Sequence, residues 1–157
     1  MTLARVPTGC SIVQILGDKP VSGCIMEKLL PHKHIRLTQP TAAVGNYSKA
    51  VLAGDTLYLS GQTGEGLDGR PPAPGDPAAQ ARQACENIRE LVEEAGGGLE
   101  SVVKITVYIT DRAFREPVYA VIAEYFGPHA PASTGLIVDG FASADFLVEI
   151  DATAVLS

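Results

Sequence analysis

Few side chains in this sequence stand where they could do chemistry, and Glu149 is the most informative of them. It lies among Leu147, Val148 and Ile150 in a segment that alternates like a strand, on the face opposite Phe146, Val148, Ile150, Ala152 and Ala154. A carboxylate there is costly if it is buried without a partner. Two readings stand side by side: an exposed strand carboxylate, which is the simpler, or a cleft carboxylate that transfers a proton or orients water. His32 and His34 are spaced as two metal ligands, but no third or fourth stands near them and His129 falls in a Pro-rich turn, so no metal is expected. The string from Gly64 to Gly69 fits G-x-G-x-x-G, yet a dinucleotide loop must open directly into a helix, and Arg70-Pro71-Pro72-Ala73-Pro74 intervenes. No phosphate-binding GxxxxGK[ST] and no G-x-S-x-G nucleophile elbow occurs. Cys85 falls among core-side helix positions and reads as a small packed hydrophobe.

The elements that must hold such residues are legible from about Tyr47 onward. Ala50–Ala53 and Thr56–Gly61, separated by Gly54-Asp55, predict a hairpin-like pair. Gly and Pro density makes Gly64–Gly75 a loop. Asp76 as N-cap, Pro77 at the first helical position and Ala81, Ala84/Cys85, Ile88, Leu91/Val92 and Ala95 at helical spacing predict a helix over 76–95, ended by Gly96-Gly97-Gly98. Ser101–Thr110 sets Val103, Ile105, Val107 and Ile109 against Lys104, Thr106 and Tyr108, the pattern of a half-buried strand. A second helix over about 113–126 carries Phe114, Val118, Val121/Ile122 and Tyr125 on one face, and strands at Ser133–Val138 and Phe146–Val155 close the chain. The order β-β, helix, β, helix, β-β predicts an α+β fold. Two helices can cover only one face of its sheet, so the other face is solvated or covered by another subunit. Residues 1–40 show no sustained helical period and are taken as an accessory extension, with 41–157 as the single domain; within the extension, residues 1–25 precede Met26, itself readable as a start.

Composition narrows the partners. The chain has 157 residues, 46% hydrophobic and 19% charged, which suits one globular domain. Twelve Lys and Arg against eighteen Asp and Glu give a net charge of −6, which disfavours nucleic acid and anionic membranes. Cys10, Cys24 and Cys85 form neither a disulfide framework nor a zinc pattern. With no run of about 18 apolar residues and no leader-like N-terminus, a soluble cytoplasmic protein is expected.

Several segments in order resemble one family: Val44-Gly45-Asn46-Tyr47-Ser48-Lys49-Ala50, Leu59-Ser60-Gly61-Gln62, Gln80 to Gln83 with Asn87-Ile88, Val103 to Asp111, Pro131-Ala132, and Val148-Glu149-Ile150-Asp151-Ala152. Over about residues 43–156 the chain resembles the RidA/YjgF family of reactive intermediate deaminases, called endoribonuclease L-PSP in older usage. The resemblance implies a chorismate-mutase-like α+β fold, with a mixed sheet, two helices on one face, and a homotrimer around a central barrel with clefts between subunits. It also implies cofactor-free hydrolysis of 2-enamine or 2-imine acids to 2-keto acids and ammonia. An iminium carbon is already electrophilic, so such a site need only hold the carboxylate, orient water and release ammonia. Glu149 matches the water-positioning carboxylate, Tyr47 the cleft tyrosine although Asn46 replaces the usual proline, and Ser60, followed by Gly61, a cleft-lining serine.

The sequence departs from the family at Pro131-Ala132-Ser133-Thr134-Gly135. Deaminating members carry P-A-R-S-C or close variants, whose arginine clamps the substrate carboxylate. Here Ser133 replaces that arginine, Gly135 the usual cysteine, and Tyr119 the asparagine of the second helix. A neutral hydroxyl cannot replace a two-pronged cation. The expected function is therefore a deaminase-type hydrolase of an enamine, imine or related C–N intermediate, with its substrate shifted and with Ser133, Thr134 and backbone amides at the substrate's polar end. Lys49, Arg70 and Lys104 are candidate replacement cations, each equally readable as a solvated charge. The alternative is a non-catalytic trimer that binds a metabolite or a protein. Ribonuclease action is disfavoured by the acidic balance and the lack of a His/Lys/Arg constellation.

Overall fold

The structure, a computed structural model, describes Lys33–Ile35 and residues 47–157. Six strands form one sheet in the order β1-β2-β3-β6-β4-β5: β1 (Lys33–Ile35), β2 (Ala50–Ala53), β3 (Thr56–Thr63), β4 (Val102–Ile109), β5 (Ala132–Ile137) and β6 (Val148–Val155). Helices α1 (Pro77–Glu94) and α2 (Arg115–Phe126) supply the second layer. Gly54, at φ 65°, and Asp55 turn β2 into β3, with Ala53 opposite Thr56. Strands β4 and β5 run parallel because α2 carries the chain back between them; β6 then inserts between β3 and β4, antiparallel to both.

Helix α1 forms where its capping signals place it. The Asp76 carboxylate accepts from the Ala79 N–H at 2.9 Å, and Gly96, at φ 95°, follows the last turn. Its buried stripe, Ala81, Ala84, Cys85, Ile88, Leu91 and Val92, meets Leu57, Leu59, Val107, Val148 and Ile150 of the sheet and Val118, Val121, Ile122 and Phe126 of α2. Each fully buried Leu, Ile or Phe here contributes about 1.5–3 kcal/mol. Burial drives the Cys85 thiol up to about 12, so it stays a neutral packed group.

Two buried polar side chains on α1, which periodicity does not single out, fasten the loops. The Gln80 amide donates to the carbonyls of Ala73 and Asp145, and its oxygen accepts from the Leu147 N–H, all at 2.9 Å. Asn87 donates to the Glu65 carbonyl at 2.7 Å. These bonds tie the 64–75 loop and the entry to β6 to one rigid helix, leaving no buried amide of theirs unpaired. The Gly64–Gly69 string closes on itself, with Gly66 N–H donating to the Arg70 carbonyl at 2.9 Å, and α1 begins only at Pro77.

One strand face differs from its expected alternation. Val102 is buried and Val103 is 46% exposed, because the β4–β6 register shifts between Val102 and Lys104. A bulge puts two residues opposite one and turns the second outward. Val103 thereby joins Tyr58, Leu136 and Val155 as exposed apolar groups. Among the described residues, no helix is long and apolar enough to cross a membrane.

Candidate active site

The family-matched residues fall into two separate groups. The first surrounds Glu149 on the sheet face away from the helices. Strand β3 carries a second irregularity between Leu59 and Gln62, so Ser60 and Gly61 leave the regular ladder. Ser60 is held there by its N–H and its hydroxyl, both donating to the Lys49 carbonyl at 2.9 and 3.1 Å, while the Gln62 amide donates to the Ser60 carbonyl at 2.7 Å. The Glu149 carboxylate lies over Gly61, in space that a Cβ at 61 would occupy. Any side chain at 61 would therefore push the carboxylate aside.

Burial, followed by the negative Asp151, raises the Glu149 pKa above its ordinary value, and Lys49 pulls it partly back. Tyr108, opposite Glu149 on β4, is likewise raised, first by burial and then by Asp151. The Lys49 ammonium sits 5.9 Å from the centre of the Tyr47 ring, which is 62% exposed. A half-buried carboxylate whose pKa is raised, with one cation near it, is the kind of group that can accept or give a proton in a cleft.

The second group lies on the helix side of β5, the edge strand. Pairing of Val107 with Gly135 sets Ser133, Gly135 and Ile137 on that side and Thr134 and Leu136 on the other. A cleft of about 370 Å³ opens there, floored by Val107 and Ile109 and walled by Arg112, Arg115, Tyr119 and Gly135. The Tyr119 hydroxyl fills the space that a Cβ at 135 would take. The Arg115 guanidinium lies 4.5 Å from the centre of the Tyr119 ring. Ser133 is exposed beside this cleft, whereas Thr134 faces away and accepts from the Lys104 ammonium.

Gly61 and Glu149 are thus brought together, with Ser60 next to Gly61 and Tyr47 reached only through Lys49, and so are Tyr119 and Gly135, but the two groups do not meet in one chain. Strands β6 and β4 separate β3 from β5, a gap of about 14 Å, and the groups use opposite sheet faces. Of the candidate cations, Arg70 is bound to Asp68 at 2.6 Å, Lys104 is bonded to Thr134, and Lys49 belongs to the Glu149 group. Arg112 and Arg115 were not among the expected residues; the available signal was Arg115 and Tyr119 one helical turn apart. His34 lies in β1, His32 outside the described residues, and no group of His, Cys, Asp and Glu that could hold a metal occurs among the described residues.

Residues 37–156 match the model of a family described as endoribonuclease L-PSP. A 2-iminobutanoate/2-iminopropanoate deaminase of Bos taurus is 37% identical over 126 residues, 80% of this chain and 91% of the relative. A RutC family protein of Pyrococcus horikoshii is 38% identical over 117 residues, 71% and 87% of the two chains. Among solved structures, RidA from an Antarctic Psychrobacter superposes with a TM-score of 0.72 at 34% identity, covering 79% of this chain and 99% of that one. The YjgF gene product of E. coli gives 0.71 at 33% identity, with 78% and 98% covered.

Proposed function

The chain belongs to the RidA/YjgF family, and from that premise we propose that it is a cofactor-independent hydrolase that deaminates a 2-imino or 2-enamino compound. The observation that carries this reading is the Glu149 carboxylate, half-buried over Gly61 with its pKa raised. In its ionised form Glu149 accepts a proton from water, and that water attacks the electrophilic imine carbon. Glu149 returns that proton to the imine nitrogen, giving a carbinolamine, and then carries the hydroxyl proton to the departing amino group. The carbinolamine collapses with cleavage of the C–N bond, so that imine plus water gives ketone plus ammonia. An enamine enters the same course after protonation at its β-carbon, for which the neutral form of Glu149 is the available acid.

The working assembly in this reading is a homotrimer that places the Glu149 group of one protomer against the Arg115 cleft of the next. Two observations support it: each chain holds the groups two to three strands apart, about 10–14 Å, on opposite sheet faces, and exposes Tyr58, Val103, Leu136 and Val155 on its strands. The domain that carries the site is 41–157, with 1–40 as an accessory extension whose Lys33–Ile35 segment adds an edge strand, and the setting is cytoplasmic.

The test is ketoacid release from freshly generated 2-iminobutanoate and a panel of larger and uncharged imines. Replacing Glu149 by Gln should lower kcat by about 10²–10⁴-fold while the assembly stays intact. An intact assembly that turns over none of the imines would replace the enzyme with a non-catalytic binding trimer of the same fold.

A further inference from the structure

We propose that Arg115, carried on the ring of Tyr119, clamps the substrate carboxylate in place of the arginine missing at position 133. The proposal rests on the deaminase reading above and names its substrate class: 2-imino acids that keep their carboxylate and carry an apolar side chain.

Three departures from the family pattern become one exchange when they are placed in space. Gly135 has no Cβ, and the Tyr119 hydroxyl occupies the volume this leaves. A side chain at 135 would therefore force the Tyr119 hydroxyl out of its present seat. The ring so positioned carries the Arg115 guanidinium 4.5 Å from its centre, one helical turn away on α2. Stacking on a ring face restrains a guanidinium while leaving its N–H edge open for a two-pronged bond to a carboxylate. Ser133 lies on the same side of β5 as Gly135, so the cation has moved across the cleft, from strand to helix, and the cleft has kept its charge.

The other arginines among the described residues sharpen the choice. Arg70, Arg82 and Arg89 are each ion-paired to carboxylates, at 2.6 Å to Asp68, Glu124 and Glu86 respectively. Neither Arg112 nor Arg115 pairs with a carboxylate among the described residues, and both line the cleft. Of the two, only Arg115 has an aromatic support. Below it, Val107 and Ile109 give the cleft an apolar floor suited to an aliphatic side chain.

The experiment pairs calorimetric binding of 2-oxobutanoate with steady-state turnover of 2-iminobutanoate, in the full-length protein and its Arg115→Met and Arg115→Lys variants. Arg115→Met should weaken 2-oxobutanoate binding about tenfold or more and raise KM by a similar factor, with kcat changed much less. Arg115→Lys, which keeps the charge but loses the fork, should fall between. The methyl ester of 2-oxobutanoate should bind wild type and Arg115→Met alike. Unchanged binding and KM in Arg115→Met would overturn the proposal, as would an equal loss for acid and ester, because that would mark a structural role. If wild type turns over no imine, the deaminase reading fails and calorimetry alone decides. Arg115-dependent binding of 2-oxobutanoate then still upholds the clamp, and absence of binding by wild type overturns it.

Discussion

Two glycines make room for side chains at the two halves of the candidate site, and they do so in opposite surroundings. Gly61 lies in an irregular stretch of β3, flanked by β2 and β6, and makes room for the Glu149 carboxylate. Gly135 lies on the edge strand β5 and makes room for the Tyr119 hydroxyl, which in turn supports Arg115. The first half is fixed by the bonds of the Ser60 N–H and hydroxyl to the Lys49 carbonyl. The second lies at the edge of the sheet, between β5 and α2, with only β4 paired to β5 among the described strands. A reacting group must be placed to within about 0.5 Å, whereas a carboxylate clamp can be rebuilt from another direction if a cation still reaches the cleft. On the proposed reading, the reacting carboxylate sits where the sheet is flanked on both sides, and the substrate clamp sits at its edge.

The sharpest way to break this contrast is Gly61→Ala. The new methyl would displace the Glu149 carboxylate, and a shift of about 1 Å in a reacting group costs about 10²-fold in rate. Most of the loss should fall on kcat, with 2-oxobutanoate binding retained. Steady-state kinetics and calorimetry on the same preparation check it; a variant with wild-type kcat would detach Glu149 from catalysis.

The same contrast explains what could be read from the sequence. Helix α1 was legible because Asp76, Pro77 and a 3.6-residue apolar stripe agree, and β6 because Val148, Ile150, Ala152 and Ala154 alternate cleanly. Val103 was misplaced because a bulge changes the period by one residue without a distinctive residue type. The insertion of β6 between β3 and β4 is a non-local pairing that no local pattern encodes. Glu149, Ser60 and Gly61 emerged from their resemblance to a family, and spacing alone left Glu149 open between surface and cleft. Arg115 stayed hidden because β5 and α2 meet only in three dimensions: Gly135 is 16 positions beyond Tyr119 in the chain, yet the two share one space.

Gly135→Ala should have a smaller effect and a different signature. Its methyl meets the Tyr119 hydroxyl and tilts the ring that carries Arg115, so KM should rise about tenfold while kcat stays within about threefold. Removing the colliding atom should repair the damage: Gly135→Ala combined with Tyr119→Phe keeps the ring and should restore most of the wild-type KM. A double variant no better than Gly135→Ala alone would show that edge-strand distortion, and not loss of the ring's seat, raises KM. The two glycines would then differ in degree and not in kind.

The smallest effect concerns the charge beside Glu149. Burial and Asp151 raise its pKa above the ordinary 4.5, and Lys49 opposes them. Because the folded state holds this proton to higher pH than the unfolded chain, Glu149 lowers stability as pH climbs from its ordinary pKa to its raised one. The penalty is absent below that window and constant above it. The ionised form accepts the proton from water, so kcat should rise with pH through the raised pKa. Lys49→Met removes the opposing cation and should move that rising limb to higher pH, with the falling part of the stability curve extending upward with it. Arg115→Met, at the far half of the site, should leave the limb in place while raising KM. A limb that moved in Arg115→Met and not in Lys49→Met would reverse the division between a reacting half and a binding half.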